Sequence, residues 1–155
     1  MLAQHWSSFM RSSHRRIGFA GSALHACRTR TALISYLAHP RRALLEMLDE
    51  DMRYLRRTKT VFRGVVDTTR AALAYERGDL EAAQRLLAGA PGLLRAADGE
   101  APGNQAALVH ARLFGAPDKR RELAAAWRAQ GVHDPDLWAW TNIPVGPRPV
   151  ANASR

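Results

Sequence analysis

The stretch from Thr60 to Ala97 constrains the fold more than any other part of this 155-residue chain, because it predicts two helices joined by a tight turn. Between the two, Gly78 can adopt the left-handed conformation that ends a helix, and Asp79 can cap the first free amides of the next one. Mostly apolar residues recur at helical spacing before and after this turn: Phe62, Val65, Val66, Thr69 and Leu73, then Leu80, Ala83, Leu86 and Leu87. The stretch therefore predicts a helical hairpin whose apolar residues serve packing and not catalysis.

Two further helices are predicted before the hairpin. Pro40 separates them, since the residue before a proline is pushed out of the helical region, and proline itself suits the first turn of a helix. The second helix runs to about Arg57, and its buried face is predicted to be Leu44, Leu45, Leu48, Met52 and Leu55. The first helix extends from Phe19 to Ala38, and we expect it to bury one line of residues: Ala20, Leu24, Cys27, Thr31 and Ile34.

Glycine and proline punctuate the chain after the hairpin. Ala90-Pro91-Gly92 predicts a break, and residues 98–103 predict a loop, after which Asn104 caps a helix that ends near Phe114. The next helix covers residues 118–130, and its inward side chains are predicted to be Leu123, Ala126 and Trp127. A short last helix is predicted to start at an acid cap followed by a proline, Asp134-Pro135.

No segment shows the alternating pattern of a strand, so the sequence predicts an all-α fold of stacked antiparallel helix hairpins. We expect one helical domain over residues 19–143, preceded by a basic lead-in at residues 1–18. The prolines and small polar residues of 144–155 predict a disordered tail.

The net charge of +9 is concentrated at the N-terminal end of the chain. Residues 1–45 contain seven arginines and no acidic residue, whereas basic and acidic residues nearly balance in residues 46–100. A basic segment of this kind can bind the phosphates of nucleic acid. Nucleic-acid binding through this N-terminal third is therefore the alternative to a role in protein binding.

The sequence lacks recognisable motifs for catalysis, cofactors and metals. Cys27 is the single cysteine, so neither an internal disulfide nor a multi-cysteine metal site can form. The six histidines show no HExxH pattern, and neither a Gly-x-Ser-x-Gly turn nor a phosphate-binding loop is present. No run approaches the roughly 20 apolar residues of a membrane-spanning helix. We expect no catalytic residue, cofactor, metal or membrane segment, and a cytoplasmic location.

The hairpin resembles a tetratricopeptide repeat, in which two antiparallel helices stack on the next pair. Small residues stand at its close approaches, with Ala71 before the Gly-Asp turn and Ala83 and Ala90 after it. Asp67 and Arg70 stand where that repeat usually has large apolar or aromatic residues. The resemblance is therefore to one degenerate repeat, and it implies a stack of helix pairs.

A longer resemblance covers roughly residues 42–146. The order of LLEMLDEDMRYLRR, FRGVVDTTRAALAYERGDLEAAQRLL and AALVHARLFGAPDKRRELAAAWRAQGVHDPDLWAWTNIPVG is similar to the C-terminal helical region of large bacterial serine/threonine protein kinases and related multidomain ATPase regulators. The closest feature is the end, where Gly131-Val132, the Asp134-Pro135 cap and Pro144-Val145-Gly146 follow one another. The resemblance implies a region that senses or binds partners. The catalytic motifs of the kinases are absent from this sequence.

Two charged clusters are candidates for function. Arg63, Arg70 and Arg77 recur every seven residues, so they form a row along one helix that could bind an acidic partner. We interpret the crowded acids as a solvated face beside neighbouring arginines: Glu46, Asp49, Glu50 and Asp51. The sequence therefore predicts a non-catalytic helical-repeat module that binds a protein partner through the three arginines.

Overall fold

The computed structural model describes residues 18–57, 62–115 and 117–149. Within these ranges the chain forms seven α-helices and no strand, which confirms the all-α class. The chain divides into two compact units, Met1–Phe62 and Arg63–Arg155. The sequence, by contrast, predicts one domain over residues 19–143. Most of the basic lead-in, up to residue 17, lies outside the described residues, as do residues 150–155.

Within its described residues, the first unit has two helices that pack against each other, α1 (Gly18–Ala38) and α2 (Arg42–Arg57). His39, Pro40 and Arg41 separate them, as the exclusion of a residue before proline from a helix predicts. The buried apolar residues of α2 lie on the predicted face: Leu48, Met52 and Leu55.

The buried face of α1 is not the one that the spacing predicts. Leu24, Cys27 and Thr31 are exposed, so the prediction was wrong for this helix. The buried set mixes polar with apolar side chains and includes Ser22, His25, Ala26, Arg28, Thr29, Ala32 and Leu33. The physical reason is that α2 contributes a buried carboxylate, Asp51, to which polar side chains of α1 are hydrogen-bonded. Which face a helix buries depends on what its partner presents.

Within its described residues, the second unit contains five helices: α3 (Arg63–Glu76), α4 (Leu80–Asp98), α5 (Glu100–Leu113), α6 (Pro117–Ala129) and α7 (Pro135–Asn142). Helix α4 packs against both α3 and α5, and α5 also packs against α6 and α7. A Cβ added to Gly64 would lie 2.5 Å from the Leu94 side chain, so α3 and α4 approach closely at this point. The core between these helices consists largely of small side chains, among them Ala71, Ala72, Ala83, Ala90 and Ala106.

The predicted turn between α3 and α4 is confirmed. Gly78 has a φ of +80°, and the amide of Asp79 donates to the carbonyl oxygen of Ala74 at 2.9 Å. Asp79 caps α4, because its Oδ1 accepts a hydrogen bond from the amide of Ala82 at 3.0 Å. Leu80 and Ala126, which the spacing places on inward faces, are exposed.

Helix α4 continues through residues 90–92, where the sequence predicts a break, and Pro91 lies inside it. Proline removes one helical hydrogen bond and strains the preceding turn. Ala90 is 0% exposed and Leu94 is 4% exposed, so the burial of the residues around the proline offsets that cost. The break predicted here was wrong because local signals do not include packing.

The loop predicted at residues 98–103 is reduced to a single junction residue, Gly99, whose φ is +91°. Helix α5 begins at Glu100, so Pro102 lies in the first turn, where an amide has no partner within the helix. Asn104, predicted as a cap, lies inside α5, and its Oδ1 accepts a hydrogen bond from Arg95 at 2.9 Å. The helix therefore starts one turn earlier than the sequence predicts.

The start of α7 is confirmed, but the segment after it differs from the tail that the sequence predicts. Asp134 Oδ1 accepts from the amide of Leu137 at 2.9 Å, and Pro135 is the first helical residue. Pro144, Val145 and Gly146 are buried, instead of belonging to a disordered tail. Side chains of α5 and α7 hydrogen-bond to the carbonyl oxygens of this segment, and these long-range contacts order it.

Candidate anion-binding pocket and arginine row

The three arginines singled out from the sequence, Arg63, Arg70 and Arg77, are all exposed. The first two lie on α3 and the third in the turn after it, and their spacing places them along one line. Every other residue of α3 except Glu76 is buried or half-buried. Within the described ranges, other arginines make the ion pairs: Arg28, Arg42, Arg85, Arg95, Arg120 and Arg121. We call Arg63, Arg70 and Arg77 the α3 arginine row.

A different set of arginines lines a cavity of about 320 Å³ in the second unit. Helices α5, α6 and α7 contribute to its walls, as does the segment that follows α7. Protein cavities that hold small ligands start at about this size. Its charged walls are Arg112, Arg120, Asp134, Asp136 and Arg148. We call this cavity the arginine pocket.

Arg120 and Asp136 form a two-pronged ion pair in the wall of the pocket. Arg120 donates through Nη2 to Oδ2 of Asp136 at 2.7 Å and through Nε to Oδ1 at 3.3 Å. The hydrogen bond to Asp136 is the main cause that raises the pKa of Arg120 above its ordinary value. The carboxylate of Asp136 is 14% exposed and lies in the first turn of α7, which the helix dipole favours. These two charges compensate each other.

Arg112 is a half-buried cation that makes few hydrogen bonds. It lies near the end of α5, and its Nη2 donates to the carbonyl oxygen of Val145 at 2.9 Å. Its Nε is enclosed and has no hydrogen-bond partner in the part of the chain that the structure describes. Burial lowers the pKa of Arg112 below its ordinary value; Asp136 acts in the opposite direction, and Arg120 adds to the lowering. The charged form of this side chain would therefore be stabilised by an anion.

The segment after α7 brings Arg148 to the mouth of the pocket. Trp140 Nε1 donates to the carbonyl oxygen of Gly146 at 3.0 Å, and the Arg148 guanidinium lies 5.8 Å from the centroid of the Trp140 ring. Gly146 has a φ of +71°, and a Cβ there would lie 2.6 Å from the Leu113 side chain. Glycine is therefore required at this position both for its backbone conformation and for space.

The first unit contains a buried charge network between α1 and α2 that the sequence analysis missed. A hydrogen bond of 2.6 Å joins His25 Nδ1 to Asp51 Oδ1, and Arg28 Nε donates to Asp51 Oδ2 at 2.7 Å. Arg28 also donates to Glu50 at 2.6 Å, and the Tyr54 ring stacks on His25 with centroids 3.9 Å apart. These opposite charges compensate one another, so we interpret the network as a packing feature.

The network corrects the interpretation of the acidic cluster as a solvated face. Glu46 and Asp49 are exposed as expected, but Asp51 is 0% exposed and Glu50 is paired. A signal for this was present, because Asp51 lies three residues after Leu48 and so falls on the apolar face of α2. A carboxylate on such a face needs a buried cation as its partner.

The basic N-terminal third has less available charge than its composition indicates. Arg28 is buried and pairs with Asp51 and Glu50, whereas Arg42 stays exposed although it pairs with Glu46. Three of its arginines, at positions 11, 15 and 16, lie outside the described residues. Nucleic-acid binding through this third therefore depends on fewer exposed cations than the seven in the sequence.

The remaining expectations concern metals and membranes. In the described part of the chain, no group of three or more His, Cys, Asp or Glu side chains could hold a metal ion. None of the helices described is long and apolar enough to cross a membrane. Comparisons with protein-family models, with curated proteins and with solved structures found no match to this chain.

Proposed function

We propose that this chain is a non-catalytic helical module that binds an acidic protein partner through the α3 arginine row. The observation that supports the proposal is the exposure of Arg63, Arg70 and Arg77 along a helix that is otherwise almost entirely enclosed. Guanidinium groups bind carboxylates through two parallel hydrogen bonds, so an exposed row of them favours an acidic surface.

The mechanism would be recognition by a rigid surface. Successive arginines seven residues apart on a helix are separated by about 10 Å, and the helix keeps this interval constant. An acidic segment whose carboxylates repeat at a similar interval would pair with all three side chains. Such a partner would be attracted at long range by the positive charge, so it would associate more slowly and bind more weakly at high salt.

We include in this proposal a stacked, tetratricopeptide-like arrangement of the helix hairpins and an origin in the C-terminal region of a bacterial signalling kinase. The resemblance of residues 42–146 to those regions supports both, and it also supports a cytoplasmic site of action. In this view the module senses or docks partners for a signalling system.

The test compares two variants, each of which loses three positive charges. The row variant is Arg63→Gln, Arg70→Gln and Arg77→Gln, and the control is Arg85→Gln, Arg121→Gln and Arg128→Gln, all at exposed positions of the second unit. Binding of a fluorescent oligoglutamate peptide is measured by anisotropy at several salt concentrations. We expect the row variant to lose most of the affinity and the control to keep it. Equal losses in the two variants would contradict the proposal.

A fluorescent DNA duplex in the same assay separates the alternative. Binding through the basic N-terminal third would fall steeply with salt and would be insensitive to the row variant. That result, together with no binding of the acidic peptide, would replace protein binding by nucleic-acid binding as the function.

A further inference from the structure

We infer that the arginine pocket is a binding site for a small organic oxyanion, a carboxylate or a phosphate group. This site shares no residue with the α3 arginine row and does not depend on the function proposed for that row. Three features of the pocket favour an oxyanion: the charges of its walls, their hydrogen-bond donors and its volume.

The charged walls of the pocket sum to one net positive charge. Three arginines and two aspartates line the cavity. Arg120 and Asp136 neutralise each other. Asp134 caps α7 through Oδ1, while its enclosed Oδ2 has no hydrogen-bond partner among the described residues. Arg112 and Arg148 form no ion pair with a carboxylate among the described residues, and the charge of Asp134 offsets only one of the two. A group with a single negative charge would therefore balance the site better than water does.

The unused donors of the walls favour an oxygen ligand. A guanidinium group has five N–H donors. Within the described ranges, Arg112 gives one hydrogen bond, to the carbonyl oxygen of Val145, and the Arg148 guanidinium lies over the Trp140 ring. Because Arg112 is half-buried, hydrogen bonds from it to a charged oxygen would be stronger than those of an exposed arginine.

The cavity is too large for a bare ion. A volume of about 320 Å³ leaves space for an organic group beside the charged one, and Leu113, Pro147 and Pro149 provide apolar surface for it. The two aspartates in the walls oppose a ligand with several negative charges. The pocket therefore fits an acid with one negative charge, a carboxylate or a singly ionised phosphate, that carries a small organic body.

The Arg120–Asp136 pair should limit the affinity of the pocket for an oxyanion, because Asp136 adds a negative charge and holds the guanidinium of Arg120. Asp136→Asn would remove one negative charge and release the guanidinium of Arg120 toward the cavity. Asparagine has nearly the shape of aspartate, and Asp134 would still cap α7. A site for an oxyanion should therefore bind more tightly in this variant, an effect opposite to that of most substitutions in a binding site.

The experiment is a titration of the full ¹⁵N-labelled chain with inorganic phosphate and, separately, with acetate, at constant ionic strength set by chloride. The indole N–H signal of Trp140 reports on the pocket, since this group donates to Gly146. We expect saturable shifts with at least one of the two probes. The probe that binds more tightly identifies whether the site prefers phosphate or carboxylate.

Three variants complete the test. Arg148→Gln, at an exposed position, should weaken binding about tenfold, as the loss of a charged hydrogen bond does. Arg128→Gln, an exposed control on α6, should leave binding unchanged, and Asp136→Asn should tighten it. The inference would be overturned by no saturable shift with either probe, by equal affinities of the Arg148 and Arg128 variants, or by weaker binding after Asp136→Asn.

Discussion

The helices inside each of the two units are held together by different kinds of interaction. Between α1 and α2, the buried groups include His25, Arg28, Thr29 and Asp51, which carry hydrogen bonds and charges. Between α3, α4 and α5, the buried residues are mainly alanine and leucine, and glycines stand at two of the closest approaches.

This difference shows two ways in which a packed helix can be given a unique partner. A buried ion network requires one register, because any other would leave charges without partners, at a cost of several kcal/mol. A small-residue interface requires one register because the helices are close enough for a single methyl group to matter. The first kind of interface should therefore be sensitive to a lost charge, and the second to added volume.

The largest effect is expected from Asp51→Ala, which tests the polar interface. The substitution removes the carboxylate beside His25 and leaves Arg28 paired with Glu50, and breaking a buried pair in this way typically costs about 3–5 kcal/mol. Amide hydrogen exchange of the full chain would show faster exchange throughout α1 and α2.

Asp49→Ala is the matched control for Asp51, since Asp49 is exposed on the same helix. It should change exchange in α1 and α2 very little. If both substitutions had the same small effect, the network would not be what stabilises the first unit.

The next effect, from Gly64→Ala, tests the apolar interface. The new methyl group would meet the Leu94 side chain at 2.5 Å, and overpacking of this kind costs about 1–3 kcal/mol. Gly89→Ala provides the contrast, because a Cβ at this exposed helical position meets no atom within 4 Å. That substitution should stabilise the chain by about 0.5–1 kcal/mol. Urea denaturation measures both, and shifts in the same direction would argue against a tight α3–α4 contact.

A smaller effect is expected from Asp79→Ala, which removes a local contribution to the second unit. The amide of Ala82 would lose its acceptor, and loss of a helix cap typically costs about 1 kcal/mol. Asp79→Asn keeps an oxygen for the cap and should retain most of the stability. Equal denaturation midpoints for the alanine variant and the unmodified chain would show that packing alone positions the hairpin.

The smallest effect concerns His110, whose Nε2 has no hydrogen-bond partner among the described residues. His25 differs because its Nδ1 is hydrogen-bonded to the carboxylate of Asp51. Burial lowers the pKa of His110 below its ordinary value of 6.5. The unfolded chain therefore binds this proton more readily, so the contribution of His110 to stability is complete above pH 6.5 and is lost as the pH falls below it.

The measurement compares the unmodified chain with His110→Gln between about pH 8 and pH 5. As the pH decreases, the unmodified chain should lose more free energy of unfolding than the glutamine variant does. The carboxylates common to both chains cancel in this comparison. A difference that stays constant with pH would show that burial of this imidazole does not oppose its protonation.

Much of the local structure could be predicted from the sequence. Gly78-Asp79, Pro40 and Asp134-Pro135 each act within a single turn of the backbone, and each does in the structure what its chemistry predicts. The exposure of the α3 arginine row also followed from spacing alone. The arginine pocket could not be predicted, because Arg112, Arg120 and Arg148 lie on separate segments that only the packing of α5, α6 and the segment after α7 brings together.

The sequence by itself determined the all-α class, the turn that joins α3 to α4 and the caps of α4 and α7, because these depend on backbone conformations and on hydrogen bonds between near neighbours. The tertiary structure alone decided which face of α1 is buried, why α4 continues through Pro91 and why residues 144–146 are ordered. These outcomes depend on Asp51 of α2, on Gly64 of α3, which the Leu94 side chain approaches, and on Arg112 of α5, each of which belongs to another element. A pattern within one segment cannot specify the atoms that another segment places against it.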